Sequence, residues 1–319
     1  MKAWIYRRYG GPEVLEQAEI DKPEPKGGEV RLEVVAFAMN PLDGKLRSGQ
    51  LRFMTRAGLP RGTGYDVAGI VDAAGAGADL AVGEVVVGIL DPYGSKWGAA
   101  ADYTCLPAKD AVRLPIDVDP VAAASVPAAG ITALQTLRGA GLRAGQRALI
   151  VGASGGVGSF AVPLAKLEGA HVTAVASAAG QEHLASLGAD RALDRTREDW
   201  MKLGERFDLV FDCTGSTRFA QCRHLLAERG AYANVVPTAA MYGAAIVARI
   251  LTRRRVIPVM RRPSRGDLER LVGLLAEGKL RPPITRIASM GNVPEIQREL
   301  EAGNGRGKIV VRLGGSAVR

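Results

Sequence analysis

Residues 152–160, GASGGVGSF, place glycines and other small residues between an apolar run, RALIV (147–151), and a helical run, AVPLAKLEGA. A small-residue loop has chemical meaning when it follows a strand and opens a helix. The helix N-terminus then offers unpaired amides and a partial positive charge, which suit a diphosphate. Within the loop the fingerprint positions fall on Ala153, Gly155 and Gly158. Ala153 makes the tight turn if its φ stays negative. Gly155 lets the backbone approach the pyrophosphate, and Gly158 lets the helix pack closely on the strand. Ser154, Gly156 and Val157 complete the phosphate-binding turn. The alternative is a tight strand–helix turn with no ligand, and the flanking strand and helix favour the dinucleotide.

The residue ending the second strand of such a unit reads the ribose. An acid there bonds the 2′-hydroxyl of NAD and repels a 2′-phosphate. Counting forward from the loop reaches AVASAAG, where Ser177 stands in the acid's place and no Asp or Glu follows until Glu182. This favours NADPH. Arg195, just after the third strand, can take the phosphate bidentately or can be a solvated surface arginine. A second group, NPLDGK, offers Asn40, Asp43 and Lys45 at the end of a strand. Asn40 can donate a hydrogen bond. Asp43, a short acid beside Asn-Pro, can hold the loop. Lys45 can stabilise negative charge or remain solvated.

The elements that must position these groups divide the chain in two. Residues 1–115 read as β-rich: EVRLEVVAFAMN, YDVAGIVDAAG and EVVVGIL are separated by glycine turns and suggest a small twisted barrel. From about residue 120 strands and helices alternate. The strands are RALIV, HVTAVAS (171–177), RALD (191–194), FDLVFD (207–212), AYANVV (231–236) and VIPVM (256–260). Helices are expected to about Glu168, over Gln181–Leu187 and near 217–228. Six such strands predict an α/β fold with a doubly wound parallel Rossmann sheet. Pro163 inside the first of these helices predicts a kink or local widening. The tail, with DLERLVGLLAEGKL and KIVVRL, is expected to return to the first domain. The reading is therefore 1–120 with 265–319 as one discontinuous domain, and 121–264 as the dinucleotide-binding domain.

Composition narrows the function classes. The 319 residues carry a net charge of +9, but arginine is dispersed, aromatics are 5% and no nucleic-acid motif is present, so no nucleic-acid partner is expected. Seven arginines between Arg249 and Arg265 read first as a solvated face with helix-end charges; contact with a phosphate or an anionic surface is the sharper option. Cys105, Cys213 and Cys222 form no CxxC pair, and the N-terminal sequence lacks a signal peptide's apolar core. The uncharged stretch 231–248 contains Asn234, Pro237, Thr238 and two tyrosines, which suits a buried strand and a helix better than a membrane span. A cytoplasmic protein is expected.

The stretches AFAMNPLDGKLRSG (36–49), GTGYDVAGIVDAAG (62–75), WGAAADY (97–103), ASVPAAGITALQTL (124–137), RALIVGASGGVGSFAVPLAK (147–166) and GKIVVRL (307–313) together resemble the zinc-free quinone oxidoreductase branch of the medium-chain dehydrogenase/reductase superfamily. Within it, the LTRRRVIPVMRRPSRGDLERLVGLLAEGKL stretch resembles alkenal/one reductases and chloroplast-envelope quinone oxidoreductase-like proteins. The chain departs from those relatives at Gly180, where they can carry a basic residue, and at Pro163. The resemblance implies a GroES-like β-barrel for the first domain, NADPH as cofactor and a homodimer, with VIPVM as the pairing edge. Zinc-bearing relatives hold their ion at positions that fall here on Asn40, Tyr65 and Ala129, so no metal is expected; the three histidines show no ligand spacing.

Without a Lewis acid, oxidation of simple alcohols is disfavoured. Hydride addition to a quinone, or to the β-carbon of an α,β-unsaturated carbonyl, develops delocalised charge that a few hydrogen bonds can hold. Asn40, Lys45 and Tyr65 are the candidate catalytic residues, and packing beneath the cleft is the alternative for Tyr65. Ala129 and Thr132 lie in the segment expected against the nicotinamide, although Thr132 can instead cap the following helix. Lys308 of GKIVVRL joins the expected cofactor contacts. The alternatives are an enoyl-thioester reductase and a non-catalytic NADPH-binding protein.

Overall fold

The computed structural model describes residues 1–303 and 305–314. Contacts divide the chain into two units, Met1–Ala128 with Pro263–Arg319, and Ala129–Arg262.

In the first unit the strands are β1 (Lys2–Tyr6), β2 (Leu15–Glu19), β3 (Glu29–Ala38), β4 (Arg61–Gly62), β5 (Asp66–Ala74), β6 (Val85–Ile89), β7 (Tyr103–Pro107) and β8 (Ala111–Arg113). The helices α1 (Pro41–Arg47) and α2 (Pro120–Ala124) belong to it, and α3 (Pro127–Ala140) starts in it. β3 is the spine. It pairs antiparallel with β5 and β7, and with the last strand of the described chain, so both its edges are covered. That explains its sequence: a strand covered by neighbours and packed on both faces reads as a run of Val, Leu, Phe and Ala rather than a strict alternation. The core gathers Leu32, Val34, Phe37, Val67, Val86 and Leu106. The sequence reading put the domain change at residue 120. However, α2 packs on β3, β5 and β6 and so falls in the first unit.

The second unit carries β9 (Arg147–Val151), α4 (Gly156–Leu167), β10 (His171–Ala176), α5 (Gln181–Ser186), β11 (Arg191–Asp194), β12 (Phe207–Asp212), α6 (Phe219–Cys222), β13 (Leu226–Asn234), α7 (Ala239–Leu251) and β14 (Arg255–Pro258). Its six strands are parallel, in the order β11-β10-β9-β12-β13-β14. This is the doubly wound arrangement, with its crevice outside the carboxyl ends of β9 and β12. The helix expected near 217–228 is shorter, because Leu226 already opens β13. α4 stays α-helical through Pro163, without the expected widening. In 231–248, the strand is buried as expected. A helix follows, also as expected, and Tyr242, Ile246, Val247, Ile250 and Leu251 of this α7 are exposed.

After Arg262 the chain re-enters the first unit with α8 (Arg265–Ala276), β15 (Ile284–Ala288), α9 (Val293–Glu301) and β16 (Lys308–Arg312). β16 pairs β15 in parallel and β3 antiparallel. α9 packs on α1: the fully buried Arg47 donates to Gln297 Oε1 at 2.5 Å and pairs with Glu301. Among the described residues no helix is long and apolar enough to cross a membrane.

Candidate active site

In the second unit β9 runs into the glycine loop, and α4 starts at Gly156 with Gly155 as its N-cap. The amides of Gly152 and Ala153 both donate to the Val175 carbonyl of β10, at 2.9 and 3.0 Å, which pins the loop to the neighbouring strand. The left-handed residue is Gly152, φ +73°, where an added Cβ would lie 2.2 Å from Thr214 Cγ2. The tight turn assigned to Ala153 is therefore made one residue earlier, and Ala153 keeps a negative φ and is buried. Gly158 does what its position implies: a Cβ there would lie 2.4 Å from the Gly152 carbonyl oxygen and 2.5 Å from Ala153 Cα, so only hydrogen lets the helix sit on the turn. Gly155 is different. Its Cβ would meet only the Gly152 carbonyl, at 3.4 Å, so the fold leaves this position open. Ser154, Gly155, Gly156 and Val157 are half-buried. The first amides of α4 have no intrahelical acceptor, as at any helix start.

Ser177 directly follows β10 and is half-buried, and its carbonyl accepts from Gly180 N at 2.8 Å. No acid stands there. Gly180 is buried against Ser154, where a Cβ would lie 2.7 Å from Ser154 Oγ, so the basic side chain that relatives can carry has no room. Arg195 donates its backbone N–H to Ala176 O at 2.9 Å, beside Ser177, and its side chain is exposed. These observations fit a phosphorylated ribose: an open turn, no carboxylate at Ser177 and an exposed guanidinium nearby. At the end of β12, Asp212 was not anticipated. It is fully buried and accepts from Thr214, Gly215, Thr217 and Asn234, which holds the loop that packs on Gly152. Its signal in the sequence is an acid closing an apolar strand, FDLVFD.

Ala129 is buried and Thr132 half-buried in α3. The helix already starts at Pro127, so Thr132 does not cap it. The Ala128 N–H near its start instead donates to Asp66 Oδ1 at 2.9 Å.

In the first unit Asn40 is the N-cap residue of α1, in extended conformation, with Pro41 at the first helical position. Asp43 accepts from Asn40 N at 2.6 Å and from Gly64 N at 2.8 Å, which holds the loop as expected. Burial pushes the Asp43 carboxyl up to about 7, opposed by those two hydrogen bonds. The Asn40 side chain lies between two charges. Lys308 Nζ donates to its Oδ1 at 2.6 Å, and its Nδ2 donates to Asp66 Oδ2 at 2.9 Å. Lys308 also reaches Asp66 Oδ2 at 3.2 Å and Met39 O at 3.3 Å.

The expectation for Lys308 is therefore corrected. It is 3% exposed, and its three N–H groups are matched by three protein acceptors, which leaves none for a phosphate. Asp66 was missed; its trace is an acid opening the apolar strand DVAGIVDAA. Tyr65 is 3% exposed in the core, and burial raises its phenol above the ordinary range, so it stays neutral. Lys45 is half-buried on α1 and outside the cluster.

The arginines of 249–265 whose bonds are defined act locally. Arg255 caps the carbonyls of Gly139 and Ala140, Arg254 those of Leu226 and Ala227, Arg253 pairs with Glu228, and Arg265 pairs with Asp79.

Two family models match. One described as "Alcohol dehydrogenase GroES-like domain" covers residues 26–116, and one described as "Zinc-binding dehydrogenase" covers 187–311. The described residues do not offer a zinc donor set. Among the described residues no three of His, Cys, Asp or Glu converge, and Asn40 offers an amide already held by two charges. The chloroplast envelope quinone oxidoreductase homolog of Arabidopsis thaliana is 34% identical over 324 residues, 98% of each chain. The chloroplastic NADPH-dependent alkenal/one oxidoreductase of the same plant is 39% identical over 223 residues, 67% of this chain and 58% of that protein. Among solved structures, the quinone oxidoreductase of Coxiella burnetii superposes with a TM-score of 0.87 at 31% identity, covering 98% of this chain and 99% of that one.

Proposed function

The chain belongs to the quinone oxidoreductase branch of the medium-chain dehydrogenase/reductase superfamily, and from that premise we propose that it is an NADPH-dependent reductase of quinones or of α,β-unsaturated carbonyls that works without a metal ion. The amides at the start of α4 hold the diphosphate, in the space left open at Gly155. Arg195, beside Ser177, takes the 2′-phosphate. When bound, NADPH supplies the hydride. Asn40 donates an N–H to the acceptor oxygen as that oxygen gains charge. One neutral donor suffices when the charge spreads over an enolate or a phenolate, whereas a localised alkoxide would need more. The proton that completes the reaction comes from solvent.

The observation that carries this reaction class is the Asn40 amide, oriented by Lys308 and Asp66 where zinc-bearing relatives hold their ion. The test is loss of NADPH absorbance with phenanthrenequinone, crotonaldehyde, methyl vinyl ketone and crotonyl-CoA, each repeated with NADH and after chelation. Turnover with a quinone or enone, preferring NADPH and surviving chelation, is expected. Turnover confined to crotonyl-CoA would move the assignment to thioester reduction, and loss on chelation would overturn it.

We also propose a homodimer. β14 has a partner on one side only among the described residues, and α7, packed beside it, exposes Ile246, Val247, Ile250 and Leu251. An open strand edge beside an apolar helix face suits a second copy. The three free cysteines suit a reducing compartment, and we propose the cytoplasm.

A further inference from the structure

An asparagine amide can be turned over with little change in shape, so its donor and acceptor ends are set only by neighbours. Around Asn40 the neighbours are two opposite charges. The Lys308 ammonium has only donors and must face Oδ1; the Asp66 carboxylate, when ionised, has only acceptors and must face Nδ2. Lys308 and Asp66 also touch each other at 3.2 Å, which closes a three-membered ring of hydrogen bonds. Both are anchored from outside the ring, Lys308 by the Met39 carbonyl and Asp66 by the Ala128 amide. They are 3% and 0% exposed, while Asn40 is only half-buried. One N–H of Asn40 is committed to Asp66, and the other has no acceptor among the described residues. Turning the amide over would set an NH₂ against an ammonium and an oxygen against a carboxylate, so the amide is held in a single orientation.

We propose that Lys308 and Asp66 are positioning residues: they lock the Asn40 amide so that its unpaired N–H is presented to the oxygen that gains negative charge. Lys308 also draws density from the amide carbonyl, which makes the remaining N–H a stronger donor. The inference rests on the role of Asn40 proposed above and goes beyond it, because it gives the charged pair a function in turnover rather than in stability alone.

The test is a double-mutant cycle on quinone or enone reduction, with kcat and the KM for NADPH measured for Asn40→Ala, Lys308→Met and the double variant. Asn40→Ala is expected to lower kcat about 100-fold. Lys308→Met should lower kcat about 10–100-fold and leave the KM for NADPH within about twofold. The double variant should be no slower than Asn40→Ala, because Lys308 acts only through Asn40. Removing Lys308 alone leaves Asp66 buried without a counter-charge. Lys308→Met with Asp66→Asn therefore serves as the folding control: it should keep a cooperative thermal transition and still lose kcat.

A raised KM for NADPH with unchanged kcat in Lys308→Met would overturn the proposal and return Lys308 to the phosphate. An undiminished loss on adding Lys308→Met to Asn40→Ala would also overturn it, with the role of Asn40 intact. Wild-type kcat in Asn40→Ala would instead remove the donor role on which the proposal rests.

Discussion

The two glycines of the nucleotide loop are predicted to fail in opposite ways when alanine replaces them. At Gly158 a methyl would sit 2.4 Å from the Gly152 carbonyl oxygen and 2.5 Å from Ala153 Cα, about 1 Å inside ordinary contact with backbone that cannot rotate away. The first turn of α4 must lift off the loop, a strain of about 1–3 kcal/mol. For a unit of this size about 4 °C accompanies each kcal/mol, so Gly158→Ala should lower the melting temperature by roughly 4–12 °C. At Gly155 the methyl meets only one atom, at 3.4 Å, and the backbone, φ −79° and ψ 176°, is one that alanine adopts freely. Removing glycine's freedom in the unfolded chain adds about 0.4–1 kcal/mol, so Gly155→Ala should melt at or slightly above the wild type. On the proposed placement of the diphosphate, the methyl nevertheless stands in its way. NADPH should then bind at least 10-fold more weakly, about 1.4 kcal/mol. Scanning calorimetry gives the melting temperature and titration calorimetry the affinity, each for both variants. Wild-type NADPH affinity in Gly155→Ala would refute the placement of the phosphates. An unshifted melting temperature in Gly158→Ala would refute the packing argument.

Three further outcomes are expected. Arg195→Ala should raise the KM for NADPH by about 10-fold or more and leave that for NADH unchanged, because only the 2′-phosphate loses its charge-assisted partner; equal effects on both would refute the assignment. Asp43 holds its proton up to about pH 7 in the folded state, against an ordinary carboxyl value of 3.8. Between those values the folded state binds the extra proton, so this group favours folding below about pH 4, and that contribution, about 4 kcal/mol, is lost as the pH rises through 7. Urea unfolding of Asp43→Asn should lack that decline, and parallel curves for the two proteins would contradict the burial argument. Ile246 and Ile250 are 63% and 73% exposed, so Ile246→Glu with Ile250→Glu should keep the wild-type circular dichroism while light scattering reports a monomer. A dimer in that variant would exclude the α7 face.

What the sequence revealed depended on how local the physics was. The nucleotide loop was legible because strand, turn and helix are consecutive and each small residue answers to a neighbour a few positions away. Even there the turn was placed on Ala153 rather than Gly152, since the motif's spacing does not say which residue takes a positive φ. The six strands of the parallel sheet were legible from alternation, but the helix near 217–228 was drawn too long, because Leu226 suits a helix as well as the strand it opens. Lys308 was expected among the cofactor contacts. Its partners, Asn40 and Asp66, lie 268 and 242 positions away, and no pattern in the sequence ranks a carboxylate so distant above a cofactor phosphate. Asp66 and Asp212 were missed for a related reason: an acid at the end of an apolar strand looks like a solvated terminus until the fold buries it.

β16 threads beside β3, and Lys308, its first residue, is the one that meets Asn40. During synthesis on the ribosome, the second unit, Ala129–Arg262, therefore emerges before β16 does. A polypeptide cut short before Lys308 contains every residue of the second unit, Ala129–Arg262, yet leaves Asn40 without its cation.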